Sequence, residues 1–257
     1  MSEGVSFNLV NKFNIDSKKI HVIHNGVNRR MIQKKIKEPI SKIHTFLNNE
    51  KNLIVNFGRL TDKKGHFQLI RIFKSFKEKK INIKLLIIGR GEAKNKLEKL
   101  VNNFNLQNQV FFITNETKNP YKYLKLGKIF VFCSLYEGFG NVIVEAMNCG
   151  LPIISVDCPY GPREILSNRK SEYPFFPVKK ITHSKYGILS PPFKQQIIEG
   201  LNNLTYEEKC MSEAIAQIVK NKKLQNHYKT ASLERSNNFT INKMAKKYYQ
   251  VIRSLYP

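Results

Sequence analysis

Short apolar runs alternate with longer amphipathic stretches along most of this chain. Runs rich in Ile, Leu, Val and Phe that end at glycine, proline or a polar residue predict buried strands at 52–58, 84–88, 110–113, 129–133, 152–156 and 186–191. Stretches with helical spacing of apolar residues separate the first four of these runs, at 66–79, 92–104 and 119–126. Strands that alternate with helices predict an α/β fold, in which a parallel sheet has helices on both faces.

The two ends of the chain differ from this alternating region. Residues 2–13 predict a helix capped by Ser2, residues 19–23 a short strand and residues 24–28 a turn. Residues 29–50 are basic and weakly patterned, which indicates a linker with some helix. Further helices are predicted at 207–220, 223–237 and 240–255. We therefore expect an N-terminal segment (1–28), a linker (29–50), a Rossmann-like domain (51–206) and a set of C-terminal helices (207–257).

The stretch 134–155 organises the rest of the chain. The strand 129–133 leads into a loop, Glu137–Gly140, and then into a helix that Asn141 is predicted to cap. The predicted apolar face of this helix is Val142, Val144 (or Ala146) and Met147. Gly150 and Pro152 end the helix before the next strand. Strand, glycine loop, helix and strand form the repeating unit of a doubly wound sheet, which binds ligands where its strands end.

The loop 137–140 carries the candidate chemistry. Its two glycines leave backbone N–H groups bare, and the following helix directs the positive end of its dipole to the same place. Both features suit phosphate oxygens. Glu137 on the loop and Glu145 in the helix would repel phosphates, but their carboxylates can accept hydrogen bonds from sugar and ribose hydroxyls. The alternative is that both are surface glutamates of an ordinary helix.

This stretch resembles the retaining glycosyltransferases of family 4, the group 1 nucleotide-sugar transferases of the GT-B fold. The resemblance rests on the pattern E-G-F-G-N-V-x-x-E-A-x-x-C-G-x-P, in which seven residues separate Glu137 from Glu145. It implies that Glu137, the expected catalytic residue, faces the transferred sugar and that Glu145 holds the ribose. It also implies that Phe139, Gly140 and Asn141 contribute to the donor site.

Two further loops belong to the same resemblance. Family members carry G-R-L/M…K-G after the first strand of this domain, and the arginine and lysine clamp the diphosphate; the matching residues are Arg59 and Lys64. Such cations neutralise the charge that develops on a leaving diphosphate. Gly89 and Gly91 follow the second strand, where the family places the nucleotide base. A tight turn would explain these two glycines almost as well.

The composition limits the location and the partners of the chain. It has 257 residues, of which 41% are hydrophobic, and no apolar run approaches the ~20 residues of a membrane span. The first residues lack the apolar core of a signal peptide, so we expect a cytoplasmic protein. The four cysteines form no C-x-x-C pair, and we expect packed thiols rather than a disulfide or a metal site. His21 and His24 have no acidic or cysteine partner nearby in sequence and are interpreted as structural or surface residues.

The formal net charge of +25 would attract anionic lipid or nucleic acid. The excess is spread along the chain as lysine, and no nucleic-acid-binding motif is present, so nucleic acid is the less favoured partner. An anionic membrane surface, with the protein peripheral to the inner face of the cell membrane, is the more favoured one. A lysine-rich amino-acid composition shared by the proteins of the source organism would explain the charge equally.

The resemblance implies the donor-binding half of a GT-B enzyme with its N-terminal domain largely absent. The implied reaction transfers a hexose or N-acetylhexosamine from a nucleotide diphosphate sugar, most simply a UDP-sugar, to a saccharide or lipid-linked acceptor. It retains configuration and uses no metal or other cofactor. The motif D-C-P-x-G-P-x-E-I-L at 157–166 is typical of the bacterial members that build surface polysaccharide, such as lipopolysaccharide or capsule. The alternatives are a non-catalytic donor-binding remnant and a GT-B nucleotide-sugar epimerase.

The acceptor cleft of the resembled family belongs to the first domain, which residues 1–28 are too few to form. We therefore expect the 257-residue chain by itself to bind nucleotide without transferring sugar. The segment 167–183 is interpreted as an insert of unassigned role.

Overall fold

The computed structural model describes residues 2–115, 118–167, 175–194 and 203–255, and a seven-stranded sheet lies at the centre of this part of the chain. The strands are β1 (Leu53–Phe57), β2 (Lys84–Ile88), β3 (Val110–Ile113), β4 (Ile129–Phe132), β5 (Ile153–Val156), β6 (Thr182–Ser184) and β7 (Gly187–Ser190). Their order is β3-β2-β1-β4-β5-β7-β6, and every neighbouring pair is parallel except β6 with β7. The predicted parallel α/β architecture is confirmed.

Helices surround this sheet. They are α1 (Glu3–Phe13), α2 (Arg29–Lys35), α3 (His66–Glu78), α4 (Lys94–Asn103), α5 (Tyr121–Leu124), α6 (Asn141–Asn148), α7 (Pro162–Leu166), α8 (Tyr206–Lys220), α9 (Lys222–Ser236) and α10 (Ile241–Leu255). Short 3₁₀ helices span Ser17–Lys19, Lys42–Asn49 and Asp62–Lys64. None of the helices in the described ranges is long and apolar enough to span a membrane.

The order of the strands fixes where a ligand can bind. The chain runs outward from β1 through β2 to β3, and then returns to place β4 on the other side of β1. The loops after β1 and β4 therefore diverge from neighbouring strand ends and leave a crevice between them. Open α/β sheets bind ligands at this switch point. Those two loops carry the residues 59–64 and 137–141 that the sequence singles out.

The core is built from the apolar strands and from the inner faces of the helices. Leu69, Ile72 and Phe73 of α3 are buried against the sheet. Ile32 of α2 and Leu47, in the stretch expected to be a linker, are also buried and join the same core. Residues 29–50 thus pack onto the Rossmann-like domain in the structure. Of the four cysteines, all free, Cys133, Cys158 and Cys210 are buried.

A buried ion pair joins α3 to α8. Arg71 Nε donates to Glu208 Oε1 at 2.8 Å, and Arg71 Nη2 donates to the carbonyl of Asn203 at 2.7 Å. Glu208 also accepts from the backbone N–H of Thr205 at 2.8 Å, which completes a capping box at the start of α8. One carboxylate therefore holds both the start of α8 and the contact between the two helices.

The N-terminal segment does not contain the strand predicted at 19–23. Ser17–Lys19 form a 3₁₀ turn instead, and the residues after it are irregular up to Val27. Apolar residues at positions 20 and 22 imitate a strand, but a strand forms only beside a partner edge. The backbone pairing in this region belongs to Val27, whose N–H donates to Phe239 at 2.9 Å and whose carbonyl accepts from Ile241 at 3.3 Å.

The first helix matches its prediction more closely. Ser2 Oγ accepts from the N–H of Val5 at 3.4 Å, so the predicted cap of α1 is confirmed. Phe13 at the other end of α1 is 70% exposed, and α10, at the end of the chain, has no buried residue. Both terminal helices therefore present apolar side chains to solvent in this structure.

Candidate functional site

A cavity of about 970 Å³ lies at the carboxyl ends of β1 and β4. Most of its lining comes from the loops that follow these two strands, and Val5 and Asn25 add a wall from the N-terminal segment. Six of the predicted site residues line it: Arg59, Lys64, Glu137, Phe139, Gly140 and Asn141. Glu145, Gly89 and Gly91 do not line it.

The loop 59–65 is held tightly against the end of β4. Gly65 has φ +68°, and a Cβ there would overlap the carbonyl oxygen of Cys133, so only glycine fits. The thiol of Cys133 donates to the carbonyl of Lys64 at 3.0 Å, and the N–H of Leu135 donates to Lys63 at 2.9 Å. Burial raises the pKa of Cys133 to about 12, which keeps the thiol protonated as a donor. Lys64 therefore projects from a fixed backbone.

Lys64 and Glu137 form an ion pair across the cavity, through Nζ and Oε1. Their side chains are 28% and 16% exposed, so the pair is only partly screened by water. The family resemblance implies separate roles for these residues, one on a diphosphate and one on a sugar, and does not predict that they contact each other. A ligand phosphate that binds Lys64 must share the ammonium group with this carboxylate or displace it. Arg59 is exposed at the cavity edge.

A buried polar pair below the loop was missed from the sequence. Asn56 Nδ2 donates to the carbonyl of Val131 at 2.9 Å, which turns its Oδ1 toward His66 Nε2 at 2.9 Å. Burial, and then the charge of Lys64, lower the pKa of His66 to about 4, although the carbonyl of Thr61 opposes them. His66 is therefore neutral at physiological pH. The available signal was Asn56 itself, a polar residue inside an apolar strand.

The glycine loop differs from its prediction by one residue. Gly140, with φ +89°, precedes the helix, and Asn141 is the first residue of α6 rather than its cap. Asn141 Oδ1 instead accepts from Asn25 Nδ2 at 3.0 Å. The buried face of α6 also differs from the predicted one, because Val142 lines the cavity. The buried residues of the helix are Ile143, Val144, Ala146, Met147 and Asn148.

At the tip of the loop, Gly138 has open space beside it, whereas Phe139 packs against other aromatic rings. Nothing lies within 4 Å of a Cβ built on Gly138, so its backbone is free to approach a ligand. Phe139 stacks on His24 with ring centroids 5.3 Å apart and meets Phe239 edge-on. A Cβ on Gly161 would overlap the carbonyl of Phe139. The D-C-P-x-G-P segment therefore supports the glycine loop from behind.

Glu164, at the end of that segment, holds the N-terminal part of the chain. Its carboxylate accepts from the N–H groups of Glu3 at 2.9 Å and Gly4 at 3.2 Å, at the positive end of α1. It also lies 3.2 Å from His24 Nε2. The interpretation of His24 as structural or surface overlooked this acidic partner, which lies 140 positions away in sequence.

Glu145 lies one turn beyond Val142 on the same side of α6, just outside the cavity lining. Burial raises the pKa of its carboxyl group to about 7, and a hydrogen bond from the side chain of Tyr121 acts in the opposite direction. The structure therefore separates the two motif glutamates: Glu137 lies in the cavity with Lys64, and Glu145 lies against α5.

Gly89 and Gly91 are explained by close packing of backbones. A Cβ on Gly89 would overlap the carbonyl of Gly58, and one on Gly91 would overlap the carbonyl of Leu60. Glycine is thus needed to let the loop after β2 cross the loop after β1. Their neighbour Glu92, which the sequence analysis did not single out, lines the cavity.

The sequence profile of the family described as "Glycosyl transferases group 1" matches residues 37–235, most of the chain. The chain belongs to this family. The matched range includes both loops of the cavity and both motif glutamates.

Two similar proteins show how much of such a glycosyltransferase this chain spans. It is 38% identical over 242 residues to an uncharacterized glycosyltransferase of Methanocaldococcus jannaschii, covering 91% of this chain and 57% of the relative. It is 32% identical over 167 residues to the N-acetylgalactosamine-N,N'-diacetylbacillosaminyl-diphospho-undecaprenol 4-alpha-N-acetylgalactosaminyltransferase of Campylobacter jejuni, covering 65% of this chain and 43% of the relative. The chain therefore spans about half the length of these relatives.

A solved structure shares the fold. The Anabaena protein HepE, crystallised in complex with UDP, superposes with a TM-score of 0.76 at 17% identity. The superposition covers 98% of this group 1 chain and 62% of HepE.

Proposed function

We propose that this chain is the C-terminal, donor-binding part of a retaining glycosyltransferase of family 4. It binds a UDP-sugar and takes part in transferring a hexose or N-acetylhexosamine to a saccharide or lipid-linked acceptor during synthesis of a surface polysaccharide. The observation that carries this proposal is the convergence of two cationic side chains, Arg59 and Lys64, and the bare backbone of Gly138 on one cavity at the switch point of the sheet.

We assign roles to the cavity residues and to three predicted residues outside its lining, Glu145, Gly89 and Gly91. Arg59 and Lys64 bind the diphosphate and neutralise it as the glycosidic bond breaks, which is the work a metal ion does in other transferases. Glu137 accepts hydrogen bonds from the hydroxyls of the transferred sugar, and Glu145 accepts from the ribose. Phe139, Gly140 and Asn141 form the wall between sugar and diphosphate, and the loop of Gly89 and Gly91 borders the base.

The comparisons support the donor and the acceptor class. HepE was crystallised with UDP, and the Campylobacter relative is named for a diphospho-undecaprenol acceptor. A lipid-linked acceptor would place the protein at the inner face of the cell membrane, where the net charge of +25 favours anionic lipid. Co-sedimentation with vesicles containing phosphatidylglycerol should then fall steeply as salt is raised. Equal binding at low and high salt, or no binding at low salt, would contradict this attachment.

Calorimetric titration with UDP tests the donor site. In buffer containing EDTA, wild type should bind UDP, and Lys64→Gln should bind at least tenfold more weakly because a charged hydrogen bond to phosphate is lost. Lys99→Gln removes the same charge from the exposed face of α4, outside the cavity, and should bind as wild type does. Binding that requires a divalent metal, or equal losses in both variants, would contradict the cation clamp.

A further inference from the structure

Phe139 lies between the two glycines of the loop that lines the cavity, Gly138 and Gly140. Glycine has no side chain to pack and leaves the backbone many conformations. Phe139, in contrast, is only 4% exposed, so its ring is packed inside the protein while its loop faces the cavity. The side chain of Phe139 is therefore the anchor that holds the tip of the glycine loop in place.

Three aromatic rings meet at this anchor. The imidazole of His24 stacks on Phe139 with ring centroids 5.3 Å apart and 26° between the ring planes. Phe239 meets Phe139 edge-on at 5.4 Å and meets His24 edge-on at 5.9 Å. All three separations lie in the range of favourable aromatic pairs. Each ring contacts the other two, so Phe139 leaves its place only if it loses both of its ring contacts.

The two rings that hold Phe139 are themselves fixed. His24 Nε2 donates to Glu164 Oε2 at 3.2 Å, since a carboxylate can only accept, and the same carboxylate accepts from the first turn of α1. The guanidinium of Arg235 lies 4.9 Å from the ring centroid of Phe239 and donates to the carbonyl of Glu164 at 2.7 Å. His24 and Phe239 are thus held by one framework around Glu164.

We propose that His24 is a positioning residue for nucleotide binding: its ring face holds Phe139, and through Phe139 it fixes the glycine loop in the conformation that receives the diphosphate. This inference rests on the proposed function, since it needs the loop to bind a nucleotide. His24 is not among the residues that line the cavity, so it acts only through Phe139.

The residue after His24 contacts the same loop. Asn25 Nδ2 donates to Asn141 Oδ1 at 3.0 Å, so two consecutive residues of the N-terminal segment hold the loop on both sides of Gly140. A loop that is already ordered loses less conformational entropy when a ligand binds. Loss of the ring face should therefore weaken the binding of UDP, although every charge in the cavity is unchanged.

Two variants separate the ring face of His24 from its N–H group. His24→Leu keeps an apolar side chain without a flat ring, whereas His24→Phe keeps the ring and loses only the hydrogen bond to Glu164. His183 supplies a matched control, because its ring also stacks on an aromatic residue, Tyr228, with centroids 6.3 Å apart, and lies 3.1 Å from the Tyr228 hydroxyl. It does not line the cavity.

Calorimetric titration with UDP in EDTA and thermal unfolding are measured for each protein. His24→Leu should bind UDP about threefold to tenfold more weakly than wild type, which is the worth of one aromatic pair. His24→Phe should bind within about twofold of wild type, although its melting temperature falls with the loss of the hydrogen bond. His183→Leu should also lose stability and bind UDP as wild type does. A purely structural role for His24 would not separate affinity from stability in this way.

An NMR titration of the unaltered chain gives a second test that no unfolded variant can spoil. The carbon-bound ring protons of His24 and His183 are assigned as the signals that His24→Phe and His183→Leu lack. Those of His24 should shift as UDP is added and saturate with the calorimetric Kd, and those of His183 should stay in place. Unshifted His24 signals, or equal UDP affinities of His24→Leu and His24→Phe, would overturn the inference alone. Failure of wild type to bind UDP would overturn the proposed function and the inference with it.

Discussion

The Lys64–Glu137 ion pair leads to a prediction that the sequence motif by itself would not suggest: Glu137→Gln should tighten the binding of UDP. In the structure, Glu137 pairs with the ammonium group of Lys64, which the proposal gives to the diphosphate. The amide is isosteric but uncharged, so it releases Lys64 and removes a negative charge beside the phosphates. The binding of UDP-sugar should gain less or become weaker, because the carboxylate is also needed to accept sugar hydroxyls.

The structure sets the size of the effect. With side chains 28% and 16% exposed, the pair lies between a solvated surface pair and a buried one. We take about 1 kcal/mol, the upper end of the range for exposed pairs, which corresponds to about a fivefold tighter Kd. Calorimetry at pH 8, where Glu145 is ionised, and at low salt gives the cleanest measurement.

Two controls separate the pair from a general charge effect. In the Lys64→Gln background, Glu137→Gln should change the affinity by less than about twofold, since the partner is already gone. Glu92→Gln removes a carboxylate from the same cavity that has no described contact with Lys64, and should also change the affinity little. Weaker UDP binding in Glu137→Gln, or the same gain in the Lys64→Gln background, would refute the reasoning.

Three further predictions concern stability. The pKa of His66 is lowered to about 4, so the unfolded chain binds more protons than the folded chain between that pH and about 6.5; stability is complete above this window and is lost as pH falls through it. Urea unfolding should show that the free energy of unfolding of wild type, relative to that of His66→Gln, falls by about 3 kcal/mol from pH 7 to pH 4. A difference between the two proteins that does not change with pH would exclude the titration of His66. Gly161→Ala should cost about 2–4 kcal/mol through its positive φ and its overlap with Phe139, while Gly138→Ala should cost about 0.5 kcal/mol or less; similar melting temperatures for the two variants would contradict the packing argument. Arg71→Met should cost about 3–5 kcal/mol because Glu208 is left charged and buried, and the double variant with Glu208→Leu should recover part of this; no recovery would mean that the capping role of Glu208 outweighs the pair.

The strands of the sheet were predictable because a strand that is buried on both faces is apolar at nearly every position. The strands β1 to β5 are predominantly apolar runs between glycines, prolines and polar loops, and each forms within a residue or two of its prediction. The prediction of a strand at 19–23 was wrong because alternation of apolar and polar residues describes a single strand. A strand also needs the edge of a second strand with which to pair. β6 escaped notice for the opposite reason: Thr182–Ser184 is polar and forms only because β7 turns back beside it.

The candidate site was predictable to the level of its loops but not of its contacts. The motif residues mark the two loops, and the order of the strands brings them to one cavity. Contacts over long sequence separations, such as Lys64 with Glu137 and His24 with Glu164, depend on side-chain packing that no local pattern encodes. The helix α6 starts one residue earlier than predicted because Gly140, in a left-handed conformation, takes the N-cap position. Asn141 is therefore the first helical residue and not the cap.

The backbone bonds between Val27 and residues 239–241 have a consequence for the order of folding. They close a loop of more than two hundred residues, whereas the neighbours of β1 in the sheet are far closer in sequence. Closing so long a loop carries an entropic cost that only a formed sheet can offset, so this contact should form late and open first. In native-state hydrogen exchange, the amides of Val27 and Ile241 should therefore exchange through local opening, whereas the amides of β1 should exchange only through global unfolding. The two ends of the chain would then form a cooperative unit of their own, less stable than the sheet to which they are attached.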